Sequence, residues 1–149
     1  MIAADATPPA ITAAGVGTVA LGSTYATLRR SGRIATLRHG CELAGASARS
    51  ARLRAPLRGS VDFTHTTPRR VQTITIVGGA TASGVGVGAT RAEVRRAFPH
   101  ATADHGTEQV FGITLFAVPR RDGGRFQFAV ETDTGRVTQI GIPTIQFCD

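Results

Sequence analysis

His39 and Cys41 stand two residues apart in "HGCE" at residues 39–42, and "HGTE" at 105–108 repeats His105, Gly106 and Glu108 without the cysteine. Imidazole, thiolate and carboxylate are the groups that hold zinc or iron, and a cysteine paired with a histidine is the minimum for thiol nucleophilic catalysis. Neither chemistry is well served here. A Cys/His pair works through placement in space, which a two-residue spacing along the chain does not supply. A His-Gly pair at a helix-to-strand junction reads instead as a turn element whose glycine takes positive φ. No G-x-S-x-G elbow is present, and the Gly-rich string "GGATASGVGVG" at 78–88 lacks the Lys and the helix context of a phosphate loop. The sequence therefore points to no catalytic residue, metal ligand or cofactor, and the chain is read as a non-enzyme.

Cys41 and Cys148 lie 107 positions apart. If paired, they tie the tail to the first part of the chain and close a loop whose chain entropy is worth roughly 4–5 kcal/mol. Such pairing belongs with an oxidising compartment.

All 17 basic residues are arginine, and the formal net charge is +7. Their distribution is uneven. Residues 1–79 hold ten Arg against three acids, whereas residues 80–149 hold seven of each. In "ARLRAPLR" at 51–58, Ala51, Leu53, Ala55 and Leu57 alternate with Arg52, Arg54, Pro56 and Arg58, the period-two pattern of a strand with one dry face. With Arg49 just before them, Arg52, Arg54 and Arg58 form a candidate anion-binding set, suited to phosphates, anionic lipid headgroups or an acidic protein surface. The same arginines beside Pro56 also suit an edge strand guarded against aggregation. Nucleic acid is disfavoured, because aromatics are 5% of the chain, with no Trp and one Tyr to stack on bases.

What must position these groups is legible from an internal match. Sliding the chain by sixty-six residues lays Val19 on Val85, Gly22 on Gly88, Thr24 on Thr90, Arg29-Arg30 on Arg95-Arg96, and Ile74 and Ile76 on Ile140 and Ile142. Roughly eighteen of about sixty pairs are identical without a gap. The organisation read from this is an N-terminal extension at 1–16, a first repeat at 17–79, a linker at 80–83 and a second repeat with its tail at 84–149. A sixty-residue unit buries too little surface to be secure alone, so the two are expected to share one core.

Each unit opens with a short apolar segment ending in Gly, "GTVALG" or "SGVGVG", followed by a helix. Thr24 and Thr90 are candidate N-caps, and Glu93 completes a capping box with Thr90. Gly32 and Pro99 stop the helices. After the "HG" link come three strands, near 49–55, 59–66 and 70–77 in the first unit and in "VFGITLFAV", "RFQFAVE" and "RVTQIGI" in the second. Phe126 and Phe128 share one strand face, and Phe111, Ile113 and Leu115 share a face of the strand before it; both groups read as core under the helices. Their sixty-six-offset mates are Ser60, Asp62, Gly45, Ser47 and Arg49, which makes the first unit the more polar. The expected fold is α+β: two helix-plus-antiparallel-meander repeats joined into a two-layer sandwich of helices on one sheet.

The Gly17–Thr24 and Gly84–Thr90 segments leading into a helix, and the pairing of two helix-plus-meander units, resemble tandem-repeat proteins of the β-lactamase inhibitory protein type. The single unit is similar to small outer-membrane-assembly lipoproteins of the SmpA/OmlA type. The resemblance implies an exported protein whose sheet presents a broad surface to another protein. It departs from the inhibitors in its scarcity of aromatics and in having only one possible bridge, so no contact residue carries over. The start "MIAADATPPA" lacks a basic n-region and apolar h-region and reads as the beginning of a mature secreted chain, and no run approaches the roughly 18 apolar residues of a membrane helix. The expectation is a secreted or envelope-associated monomer that binds a partner protein through its sheet face, with an anionic polymer or lipid headgroup as the alternative partner.

Overall fold

The computed structural model describes residues 7–148. Residues 1–6, on which the reading of the chain's start partly rests, and residue 149 lie outside them. Three two-residue strands come first: β1 (Ile11–Thr12), β2 (Gly15–Val16) and β3 (Val19–Ala20) form a small antiparallel sheet. Thr24 then opens α1 (Tyr25–Arg30), its hydroxyl accepting from the Thr27 amide at 3.2 Å. After α1 run β4 (Arg38–His39), β5 (Arg49–Arg52), β6 (Arg58–Phe63) and β7 (Val71–Gly78).

The second half follows the same plan. Thr90 and Glu93 form the reciprocal capping box at the start of α2 (Arg91–Ala97), where Thr90 Oγ1 accepts from the Glu93 amide and Glu93 Oε1 from the Thr90 amide. Next come β8 (Thr102–Asp104), the one-turn α3 (Glu108–Phe111), β9 (Ile113–Pro119), β10 (Arg125–Glu131) and β11 (Val137–Ile142). The other eight strands join one antiparallel sheet in the order β4-β5-β6-β7-β11-β10-β9-β8. The halves meet at its centre, with Ile76 opposite Ile140 and Ile74 opposite Ile142.

A helix layer on a sheet, the α+β sandwich expected from the sequence, does not form. Strand takes up 42% of the described residues and helix only 14%. The reason lies in the helices' reach. At 1.5 Å per residue, α1 and α2 are about 10 Å long, whereas eight strands at 4.8 Å spacing span about 34 Å. Each helix buries a single residue, Leu28 or Val94. Further core cover comes from Ile34 and Phe98, from Ile11, Val16 and Val19 of the small sheet, and from Ala80, Ala82 and Val85. Segments read as extension and linker therefore carry core residues, and they hold each other: the Ile11 amide donates to the Thr81 carbonyl at 2.7 Å and the Thr81 amide to that of Pro9 at 3.1 Å.

Two further differences have local causes. "VFGITLFAV" is not one strand, because Gly112 takes the left-handed conformation, ends α3 and starts β9 at Ile113. "ARLRAPLR" keeps its dry face at Ala51, Leu53 and Leu57 but is not one strand either. It turns at Ala55-Pro56, where the Leu57 amide donates to the Arg54 carbonyl at 3.1 Å.

The sixty-six-residue offset holds at both ends of the halves and slips in the middle. Gly22 and Gly88 donate to the carbonyls of Val71 and Val137, at 2.9 and 2.8 Å, and Arg70 and Arg136 return a guanidinium bond to the Gly22 and Gly88 carbonyls at 3.0 and 2.8 Å. In the middle strands, Ser60 faces Thr75 while Gln127 faces Gly141. Ser60 thus corresponds to Gln127, not to Phe126. A one-residue slip moves every side chain to the other face, so the counterparts of Phe126 and Phe128 are Gly59 and Val61. The first half is not short of a core: Val61, Phe63, Ile74 and Ile76 are fully buried, as are Phe126, Phe128, Ile140 and Ile142.

Candidate functional site

Opposite residues in a ladder share a face, so the registers define the side of the sheet turned away from the main core. In the first half it carries Arg38 on β4, Ser50 and Arg52 on β5, Ser60 and Asp62 on β6, and Thr73 and Thr75 on β7. In the second half it carries Asp104, Leu115 and Ala117, Gln127 and Ala129, Gln139 and Gly141.

The tail packs across the second half and ends bonded to Cys41 of the first. After β11 it crosses Gly141, where a Cβ would sit 2.3 Å from the Thr144 carbonyl oxygen; only glycine admits so close an approach. The Ile145 amide donates to Gln127 Oε1 at 2.8 Å, and the Ile145 side chain is buried on Leu115 and Ala129, with Ile113 and Phe147 packed beside them. Phe147 stacks on Phe111 of α3 with ring centroids 4.2 Å apart, and the next residue, Cys148, is disulfide-bonded to Cys41. Consecutive Cα atoms are only about 3.8 Å apart, yet Phe147 and Cys148 reach the outermost hairpins of opposite sheet edges. This face is therefore closed in from both sides, with residues 143–148 strapped over its second half.

The first half stays open. Ser50, Ser60, Asp62 and Thr75 floor a groove of about 530 Å³ walled by Arg38 and by Gln146 and Cys148 of the strap. A neighbouring groove of about 540 Å³ carries Arg38, Arg52 and Arg58 around Ser60 and Val77. Burial raises the Asp62 carboxyl above its ordinary range, and the positive charge of Arg38 partly offsets this. Gln146 Oε1 is buried and has no hydrogen-bond partner.

The four arginines singled out in the sequence do not act together. Arg52 and Arg58 share the open groove. Arg49 donates to the carbonyls of Ala46 and Ala48, which fixes its own hairpin, and Arg54 lines a separate crevice with Arg33, Pro9 and Leu57. Arg38, the third guanidinium of the groove, is not visible as part of the set because it sits on a strand of two residues read as a link. Its counterpart across the halves is Asp104, a charge reversal that the aligned "ATLRHG" and "ATADHG" already contain.

The "HG" motifs also separate. His39 is on β4 and His105 follows β8, at opposite sheet edges. His105 Nδ1 and Thr114 Oγ1 both bond Glu108 Oε2, at 2.6 and 2.5 Å, and these bonds, that of Thr114 first, hold the Glu108 carboxyl below its ordinary range. Among the described residues no cluster of three His, Cys, Asp or Glu side chains is placed to hold a metal ion. Phe126 and Phe128 are in the core with Phe98, whereas Ile113 and Leu115 lie on the opposite face under the strap, and Phe111 is in α3.

No protein-family model, curated protein or solved structure matches this chain. Among the described residues no helix is long and apolar enough to cross a membrane.

Proposed function

We propose that the protein is a non-enzymatic binding protein that docks a partner protein on the open half of its sheet face. One observation carries the reading. The two halves of that face have corresponding positions, yet one is covered by the chain's own tail and the other is left as a polar groove rimmed by Arg38, Arg52 and Arg58. A face built on regular strands and clamped by a disulfide is preorganised, which lowers the entropic cost of association. The hydrogen bonds that recur sixty-six residues apart support descent of both halves from one duplicated unit, the organisation that the resemblance to inhibitory-protein-type repeats implies. The disulfide supports an extracellular or envelope setting.

A simple polyanion binder is the competing reading, and the three guanidinium groups favour it. Asp62 in the floor weighs against it, because a carboxylate beside Ser50, Ser60 and Thr75 asks for a ligand with donors as well as negative charge. Filling the groove tests the surface. Ser60→Trp should abolish partner capture by crosslinking from the extracellular fraction of the source, and Thr102→Trp, on the exposed edge of the strapped half, should leave it intact. Capture of the same proteins by both variants would remove the sheet face from consideration.

A further inference from the structure

The strap shows how this sheet holds an extended chain, and the open half offers the same seat with different chemistry. We propose that the open half takes an extended segment of the partner, bearing acidic and small apolar side chains, laid over β5–β7 much as residues 143–148 lie over β9–β11. This rests on the docking face assigned above and adds the class of segment that fills it.

Position by position, the seat has been rewritten for an incoming chain. Where the tail finds Leu115 and Ala129 under Ile145, the open half has Ser50 and Asp62. Where the tail's backbone amide finds Gln127, the open half has Ser60, and Gly141 is replaced by Thr75. Ser60 and Thr75 make no side-chain hydrogen bond among the described residues, so both hydroxyls are free to bond a passing backbone. The Thr75 side chain holds that backbone farther from the sheet than the tail rides at Gly141, which is the distance at which hydroxyl groups, not bare strand, make the contacts.

The floor supplies a second pointer. The Ser60 and Thr75 hydroxyls and the Asp62 carboxyl line the groove as acceptors, and the backbone N–H groups of an extended segment are donors for them. Carboxylates of the segment belong farther along, over the Arg52 and Arg58 end, where Val77, 44% exposed, adds an apolar contact. A segment that presents acidic and small apolar side chains in turn along one face meets these demands. A polymer with charge alone leaves Asp62 unsatisfied.

The probe is a fluorescein-labelled decapeptide, Glu-Glu-Val-Val-Glu-Glu-Val-Val-Glu-Glu, which sets Glu and Val in turn along each face of an extended chain, followed by fluorescence anisotropy on the oxidised full chain. Saturable binding is expected, weakened at least about tenfold by Arg52→Glu with Arg58→Glu, as for removal of well-placed charge contacts, and unchanged by Arg120→Glu on the strapped half. The same peptide with N-methylated amides, which keeps every charge and removes the backbone donors, should lose binding. Equal binding of the N-methylated peptide, or none by the parent, overturns the proposal, the first in favour of a charge-only polyanion. If the peptide fails while Ser60→Trp still abolishes partner capture, the segment class falls and the docking face stands. If Ser60→Trp leaves capture intact, the face itself falls.

Discussion

On β6, Val61 and Phe63 enter the core as Phe128 and Val130 do on β10, but the residues facing the other way are Ser60 and Asp62 on one strand and Gln127 and Ala129 on the other. The same contrast runs across the sheet, with Arg38 for Asp104, Ser50 for Leu115, Arg52 for Ala117 and Thr75 for Gly141. The buried face of each half must fill one shared core, which restricts it to apolar side chains. The opposite face is under no such demand, and there one half seats the chain's own end while the other carries hydroxyls and charged groups. Of the ten arginines in residues 1–79, three, Arg38, Arg52 and Arg58, border this face.

The comparison breaks most readily at the strap. Cys148→Ser opens a loop of 107 residues and should lower stability by up to about 4–5 kcal/mol in urea unfolding. Hydrogen exchange should accelerate at Leu115 and Ala129 and stay unchanged at Ser60 and Asp62. The buried faces give the next largest effect: Phe128→Ala should cost about 3–5 kcal/mol and Val61→Ala about 2 kcal/mol. Ser60→Ala should change stability by less than about 0.5 kcal/mol. A costly Ser60→Ala would instead restore the unslipped sixty-six-residue offset through the middle strands.

Smaller effects sharpen the contrast at the crossing point. Gly141→Thr must push the tail off its seat and should cost about 1–3 kcal/mol, whereas Thr75→Gly, in the floor of the open groove, should cost no more than about 1 kcal/mol. The least is expected from Asp62. Its folded carboxyl is raised by burial above the ordinary value of 3.8, so the folded state binds this proton more readily than the unfolded chain. Stability contributed by Asp62 therefore rises as pH falls through the folded value toward 3.8. Asp62→Asn should raise the urea midpoint at pH 7, and the gain should vanish below pH 3.8.

What the sequence disclosed was what neighbouring residues decide. The Thr90–Glu93 box, the strand "RFQFAVE" and the turn after it depend on a few consecutive side chains and appear where the pattern puts them. The fold class did not follow, because short apolar stripes at Leu28 and Val94 mark helices without revealing that each is too short to cover a sheet. Placement of the arginines depended on the Ala55-Pro56 turn, which interrupts a perfect period-two run and sends Arg54 and Arg58 to different places. Residues 143–148 carry no periodic signal at all. Their fit depends on Leu115, Gln127 and Gly141, from two other strands and their own, which a linear reading has no means to bring together.

The central seam between β7 and β11 sets Ile76 against Ile140 and Ile74 against Ile142, a pairing that β7 can make equally well with another β7. Cutting the chain between Gly78 and Arg91 would leave the first fragment with a raw hydrogen-bonding edge that is its own complement. Such a fragment would be driven to an isologous dimer about that edge. Joining the halves in one polypeptide makes that closure intramolecular and independent of concentration, and it lets the two halves of the outer face carry different side chains.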